Sequence, residues 1–167
     1  MNKHFWRLLG LLSCTWGALT SMAHAEGTFA PLTQEMVSSV NKQRQFLAQL
    51  VAKNFPGQKL TQSPRDFAIL QRIADSNVVG AKQTWELQAL GVCFGDALVK
   101  FIPGLNWVLV TDEFGTDPTL RYKTSSVQIN ALTSISKRIE HGEGVEIADF
   151  AAQAKEFLAN SAKYSGK

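Results

Sequence analysis

The sequence predicts an α+β fold in which helices flank a small antiparallel sheet of about three strands. Amphipathic patterns predict helices in the amino-terminal part of the chain, and a segment that is apolar on most of its circumference, 82–101, predicts a buried central helix. Short β-branched and aromatic runs follow it, separated by a stretch dense in turn formers, 112–118. Further helical patterns close the chain, so helices and a short meander share one fold.

The first 25 residues have the order of a secretory signal peptide. Lys3 and Arg7 precede an acid-free apolar run, and Ala23 and Ala25 form an A-x-A cleavage site. We expect cleavage after Ala25. The remaining residues, 26–167, are predicted to form a single globular domain that is periplasmic or secreted and has no stable membrane anchor.

Two other interpretations of the leader fit the sequence less well than cleavage. A membrane-spanning helix needs about 20 consecutive apolar residues, and Ser13, Thr15 and Thr20 interrupt this run. A lipoprotein would be modified at Cys14, which follows a small residue, but Leu12 fits that signal poorly. The A-x-A site downstream is the better match.

Loss of the leader changes the number of charged and reactive side chains in the protein. The chain has 17 basic and 14 acidic side chains, and removal of Lys3 and Arg7 leaves 15 and 14. A nearly neutral protein without a basic cluster is not expected to bind nucleic acid. Cys93 and His141 are the cysteine and histidine that remain. An intrachain disulfide and a structural zinc site are therefore excluded, and we expect no metal or cofactor.

Capping residues and glycines define the helices in more detail. Thr33 is a predicted N-cap for the first helix, which Pro56-Gly57 ends, and Ser63 with Pro64 starts the second. Gly91 and Gly95 would each weaken the third helix by about 1 kcal/mol. We therefore expect another backbone to pack directly against them. The strands are predicted at 107–110, 120–122 and 127–129, and the closing helices at 132–140 and 147–162, with a turn at 141–144 between them.

Residues 90–150 resemble a bacterial family catalogued as domain of unknown function 3806 (DUF3806). The resemblance is carried by these residues: Gly91, Phe94-Gly95-Asp96, Trp107, Thr111-Asp112-Glu113, Gly115, Leu120-Arg121, the run from Ile135 to Glu140, and Gly142. It implies one domain and a bacterial source. It implies no activity, and no catalytic residue follows from it.

Four candidate sites suggest chemistry, and each has a structural alternative. Asp96 lies among apolar neighbours on the third helix, so its carboxylate needs a hydrogen-bonding partner or a shifted pKa. Both structural and catalytic carboxylates meet this requirement, so the residue has either role. The carboxylates of 112–117 lack the spacing of a calcium loop and suit a solvated hairpin in which Arg121 pairs with Asp112. Ser134 and Lys137 match S-x-x-K without its companion motifs.

Cys93 and His141 would be a nucleophile and base if they met. The thiol, however, lies in the predicted buried helix and the histidine in a glycine-rich turn. A small core residue is the structural alternative for Cys93.

The favoured interpretation is a non-enzymatic binding, accessory or immunity-like module with a periplasmic or extracellular protein as partner. The rival is a small cell-envelope hydrolase that pairs Asp96 with Asp112 or Asp117, which requires carboxyl groups about 5 to 9.5 Å apart. Phe114 is either an exposed binding anchor or a plug over the sheet. The predicted binding residues, expected mostly at one end of the sheet, are Asp96, Asp112, Glu113, Phe114, Asp117, Arg121, Lys137 and Arg138.

Overall fold

The computed structural model describes residues 27–164, and side chains as far as Ser161. The predicted leader and its cleavage site lie outside the described residues. The order of elements is β1 (Thr28–Ala30), α1 (Gln34–Asn54), α2 (Asp66–Ser76), α3 (Thr84–Phe101), β2 (Leu105–Asp112), β3 (Gly115–Tyr122), β4 (Gln128–Ile129), α4 (Ala131–Ser134), α5 (Ser136–Glu140) and α6 (Ile147–Tyr164). The α+β prediction is confirmed.

The strands form one antiparallel sheet in the order β1-β2-β3-β4. β1 is not among the strands predicted from the sequence, which begin at residue 107. Phe29 pairs with Val110, so β1 adds an edge strand to β2. Pairing stops at Pro31, which has no N–H to offer the ladder.

α3 lies at the centre of the fold, as predicted. Its residues Leu87, Leu90, Phe94 and Leu98 are at most 1% exposed. One side chain departs from this pattern, because Trp85 at the start of the helix is 43% exposed. It meets the ring of Phe46 on α1 edge-on, with 5.3 Å between the centroids. The burial of α3 therefore begins one turn after its first residues.

The two glycines of α3 allow close packing, as expected. A Cβ on Gly91 would lie 2.4 Å from the carbonyl oxygen of Leu132, in the backbone of α4. A Cβ on Gly95 would lie 2.3 Å from Cζ2 of Trp107 on β2. The neighbour is thus a backbone at Gly91 and an aromatic ring at Gly95.

Helix boundaries differ from the prediction at two places. The first is α2, which begins at Asp66 rather than just after Ser63, because the Asp66 carboxylate accepts from the backbone N–H groups of Thr61 and Ser63 and holds them in a turn. The second is 132–140, which divides into α4 and α5. Here the hydroxyl of Ser134 donates to the carbonyl of Asn130 at 2.6 Å, a bond that bends helices.

The two faces of the sheet differ because side chains alternate along each strand. Trp107 and Leu120 are register partners that face the helices, and Trp107 contacts α3. Phe29 and Arg121 lie on the opposite face, with the guanidinium carbon 4.2 Å from the ring centroid. This cation–π contact links β1 to β3, in addition to the backbone pairing of β1 with β2.

Candidate functional site

Asp96 lies at the junction of α1, α3 and β2. Arg44 of α1 donates to it through Nε and Nη2, both at 2.7 Å, and the indole Nε1 of Trp107 donates at 3.0 Å. Asp96 is 8% exposed, and a paired, hydrogen-bonded carboxylate is what burial requires. Asp96 therefore has partners within the protein, and they are side chains of α1 and β2.

Sequence reasoning did not identify Arg44 as the partner of Asp96. Arg44 lies on the buried side of α1, four residues after Val40 and three residues before Leu47. A cation at the border of a buried helix face was the signal that could have revealed it. The hydrogen bonds to Asp96 raise the pKa of Arg44, against the opposing effect of its burial.

A cleft of about 220 Å³ opens beside this ion pair, between α1, α3 and the turn before α2. Its lining residues are Arg44, Gln45, Ala48, Leu60, Gln62, Asp66, Cys93 and Asp96. Asp66 is 2% exposed and accepts from the N–H and hydroxyl of Thr61. The cleft therefore has two carboxylates in its wall, both already occupied by donors of the protein.

Cys93 lies in the same wall and is not poised for nucleophilic attack. Burial, and to a smaller extent the charge of Asp96, raises the pKa of its thiol to about 12. A thiol with that pKa is protonated at neutral pH, and the thiolate is the nucleophile. His141 is exposed in the turn after α5. The structural interpretation of Cys93 as a small core residue is the one that fits.

The turn between β2 and β3 gathers four of the predicted binding residues. Asp112 pairs with Gly115 at the end of the hairpin, and the Oδ1 of Asp112 accepts from the backbone N–H of Phe114 at 2.8 Å. Gly115 has φ +137°, which favours glycine. Glu113 and Asp117 are exposed, and Phe114 is 88% exposed. Phe114 does not plug the sheet.

The other predicted residues do not join that end of the sheet. Arg121 pairs with Asn106, far from the hairpin turn, and donates to the carbonyls of Thr124 and Ser125, both at 2.6 Å. The predicted pairing of Arg121 with Asp112 is therefore wrong. The register decided the outcome, because Asp112 pairs with Gly115 at the opposite end of the ladder.

Asp96 is also remote from the hairpin acids. It binds Trp107, and Asp112 lies five residues further along β2, about 16 Å at 3.3 Å per residue. Asp112 and Asp117 also project from the face of the sheet opposite to Trp107. The paired carboxylates of the hydrolase interpretation are not brought together.

Lys137 and Arg138 lie on α5. Arg138 stacks over the ring of Phe150, with 5.4 Å between guanidinium carbon and centroid, and lies 3.8 Å from Glu143. Ser134 is 7% exposed and belongs to α4, a different helix from Lys137. The Ser134 hydroxyl donates to Asn130, so the S-x-x-K pattern has a structural explanation.

Within residues 27–164, no group of His, Cys, Asp or Glu is placed to hold a metal ion. In the same part of the chain, no helix is both long and apolar enough to cross a membrane.

Comparisons with known proteins agree with this architecture. A crystal structure of a protein from Bacteroides thetaiotaomicron VPI-5482 has a similar fold, with a TM-score of 0.69 at 18% sequence identity. The match covers 77% of this chain and 47% of that one, so the chain spans about half the length of that protein. No curated protein matches the chain.

A family model described as a domain of unknown function, DUF3806, matches residues 66–150, from the start of α2 into α6. The predicted resemblance began later, at residue 90. β1 and α1 precede the matched region, yet β1 pairs with β2, and α1 supplies the Arg44 that binds Asp96. Since the match covers just over half of the 167 residues, the chain belongs to the DUF3806 family.

Proposed function

We propose that the chain is an exported bacterial protein that acts by binding a periplasmic or extracellular protein, as an accessory or immunity-like module, and not by catalysis. The leader at 1–25 supports export. The nearly neutral charge of the remaining chain argues against nucleic acid as a partner. The hairpin end, defined as Asp112, Glu113, Phe114 and Asp117, is the proposed binding surface.

The exposure of Phe114 is the observation that carries this proposal. A phenylalanine that is 88% exposed gains little from the hydrophobic effect in the isolated fold. Its backbone N–H is bound by Asp112 and its turn is closed by Gly115, so the ring is presented on an ordered support. An aromatic side chain on an ordered turn loses little entropy on binding and buries a large area.

The chemistry of the cleft supports binding over catalysis. Asp66 and Asp96 are occupied by donors of the protein, and the thiol of Cys93 has a pKa of about 12. A general base needs a pKa near the working pH and a free position toward the substrate. None of these three groups offers that combination.

The experiment is affinity capture from the periplasmic and culture fractions of the source organism, with the secreted protein as bait and quantitative mass spectrometry as readout. Phe114→Ala is expected to lose the partner while keeping the melting temperature. Val37→Ala is the matched control, because Val37 is 40% exposed on α1 and lies outside the hairpin end. Capture of the same proteins by Phe114→Ala and by wild type would contradict the proposal that the hairpin end is the binding surface.

A further inference from the structure

We propose that pairing of β1 with β2 protects the predicted processing site, so that the leader is removed only while β1 is unpaired. The processing site is the bond between Ala25 and Glu26. A signal peptidase hydrolyses this C–N bond with one water, which leaves a carboxylate on Ala25 and the α-amino group on Glu26. The inference uses the leader of the proposed function and does not depend on the hairpin end.

The residues that follow the processing site are held on β2. A Cβ on Gly27 would lie 2.8 Å from Cγ2 of Val110 and 3.1 Å from the carbonyl oxygen of Thr111. The backbone of Gly27 therefore packs against β2 where a side chain would not fit. Thr28, the third residue after Ala25, is the register partner of Thr111. The chain is thus part of the sheet from two residues after the processing site.

Side chains on the outer face of the sheet also hold β1 in place. Phe29 pairs with Val110, which is 5% exposed. The guanidinium carbon of Arg121 on β3 lies 4.2 Å from the centroid of the Phe29 ring. Release of β1 therefore breaks contacts with both β2 and β3, whereas a loose terminus has no such contacts to break.

Cleavage at this site needs the same backbone that β2 occupies. A protease that cuts an ordered region acts on the locally opened form, and its rate follows the open fraction when opening and closing are fast. A protease binds its substrate as an extended segment with accessible backbone groups. Gly27 and Thr28 do not pair with β2 and occupy a protease at the same time. The geometry therefore sets an order, in which the leader is removed first and β1 closes the sheet afterwards.

The test locks β1 onto β2 with a disulfide. Thr28→Cys and Thr111→Cys are placed in the full-length precursor together with Cys14→Ser, and the native Cys93 is buried. Directly opposed residues of an antiparallel pair have Cα atoms about 4.5 to 5.5 Å apart, which a disulfide spans. The refolded precursor is incubated with purified signal peptidase in detergent micelles, and intact mass is followed over time. We expect the oxidised form to be cleaved at least about tenfold more slowly than the same protein after reduction.

Two control precursors separate the lock on β1 from other effects. Thr111→Cys with Thr116→Cys joins β2 to β3 across the hairpin, where the two hydroxyl oxygens lie 2.9 Å apart. That disulfide leaves β1 free, so equal cleavage is expected before and after reduction. Phe94→Asp places a carboxylate at a fully buried position and unfolds the domain. It gives the rate for an unpaired β1, and we expect the folded wild-type precursor to be cleaved more slowly.

A residue remote from the processing site in the chain provides a second test. Arg121→Gln removes the cation above Phe29 and is expected to speed cleavage of the folded precursor by about two- to fivefold. Arg72→Gln is the matched control, because the guanidinium carbon of Arg72 lies 4.8 Å from the ring centroid of Phe55, away from β1. Its rate is expected to equal that of the wild type.

Two outcomes would overturn the inference alone: equal cleavage of the oxidised and reduced Thr28→Cys/Thr111→Cys precursor, or cleavage of the folded wild type as fast as Phe94→Asp. Absence of cleavage after Ala25 in the Phe94→Asp precursor would overturn both the inference and the proposed export. Binding at the hairpin end is tested separately by Phe114→Ala and affects neither rate.

Discussion

The indole of Trp107 donates to Oδ1 of Asp96 at 3.0 Å, and the far edge of the same ring occupies the space where Gly95 lacks a side chain. One residue of β2 thus recognises two consecutive residues of α3. The hydrogen bond fixes the orientation of the ring, and the glycine permits its approach. The sheet and the central helix are joined at this point.

Replacement of Gly95 by alanine is expected to destabilise the fold by about 1 to 3 kcal/mol through overpacking. The new Cβ would lie 2.3 Å from Cζ2 of Trp107, and that ring is held in place by Asp96. Gly144→Ala is the control, because a Cβ there meets nothing within 4 Å. Urea unfolding measures both variants. Equal stability of Gly95→Ala and wild type would contradict the packing of α3 against β2.

Replacing either partner of the Arg44–Asp96 pair is expected to lower the free energy of unfolding. Asp96→Asn leaves Arg44 without its counter-charge, and we expect a loss of about 1 to 3 kcal/mol, since the Arg44 side chain is 25% exposed and water replaces part of the interaction. A double-mutant cycle with Arg44→Met isolates the coupling. Lys59→Met, an exposed cation, is the control. Additive effects of the two substitutions would show that the ion pair contributes nothing.

The thiol of Cys93 is expected to resist alkylation in the folded protein. Its pKa of about 12 against an ordinary 9.0 means that the thiolate is about a thousandfold rarer at pH 8. Iodoacetamide labelling of secreted protein, followed by mass spectrometry, should therefore be slow in buffer and fast in urea. Rapid labelling of the folded protein would show that the thiol is exposed to water.

The same pKa shift predicts a loss of stability at high pH. Because the pKa in the fold is raised, the unfolded chain loses its proton first, so the contribution of Cys93 is complete below about pH 9 and is lost as the pH rises toward 12. Cys93→Ala should flatten this part of the pH profile in thermal unfolding, compared with wild type. An identical profile for both proteins would contradict the burial of the thiol.

The secreted protein is expected to begin at Glu26, with an intact mass that lacks residues 1–25. The A-x-A pattern at Ala23 and Ala25 is the basis of this expectation. Ala25→Arg should block processing, whereas Ala30→Arg, an exposed position in β1, should leave it unchanged. A mass that includes a lipid on Cys14, or the complete leader, would show that the site is misassigned.

The sequence by itself determined the features that depend on residues close together in the chain. The period of apolar residues predicted α1 and the buried α3, and the glycine pair predicted close packing before any neighbour was known. The turn formers after β2 predicted the hairpin that bears Phe114. Helical periodicity, capping and turn chemistry act over a few residues, so they can be recognised in one stretch of sequence.

Only the tertiary structure decided which distant residues meet. Arg44 and Asp96 are 52 positions apart, and no local pattern connects them. β1 has three residues and is defined by its pairing with β2, so the local sequence of these residues does not predict a strand. The register placed Arg121 away from Asp112, and it left Phe114 beyond the last paired residues. Strand register and the packing of helices are set by contacts across the whole chain, and the candidate site depends on both.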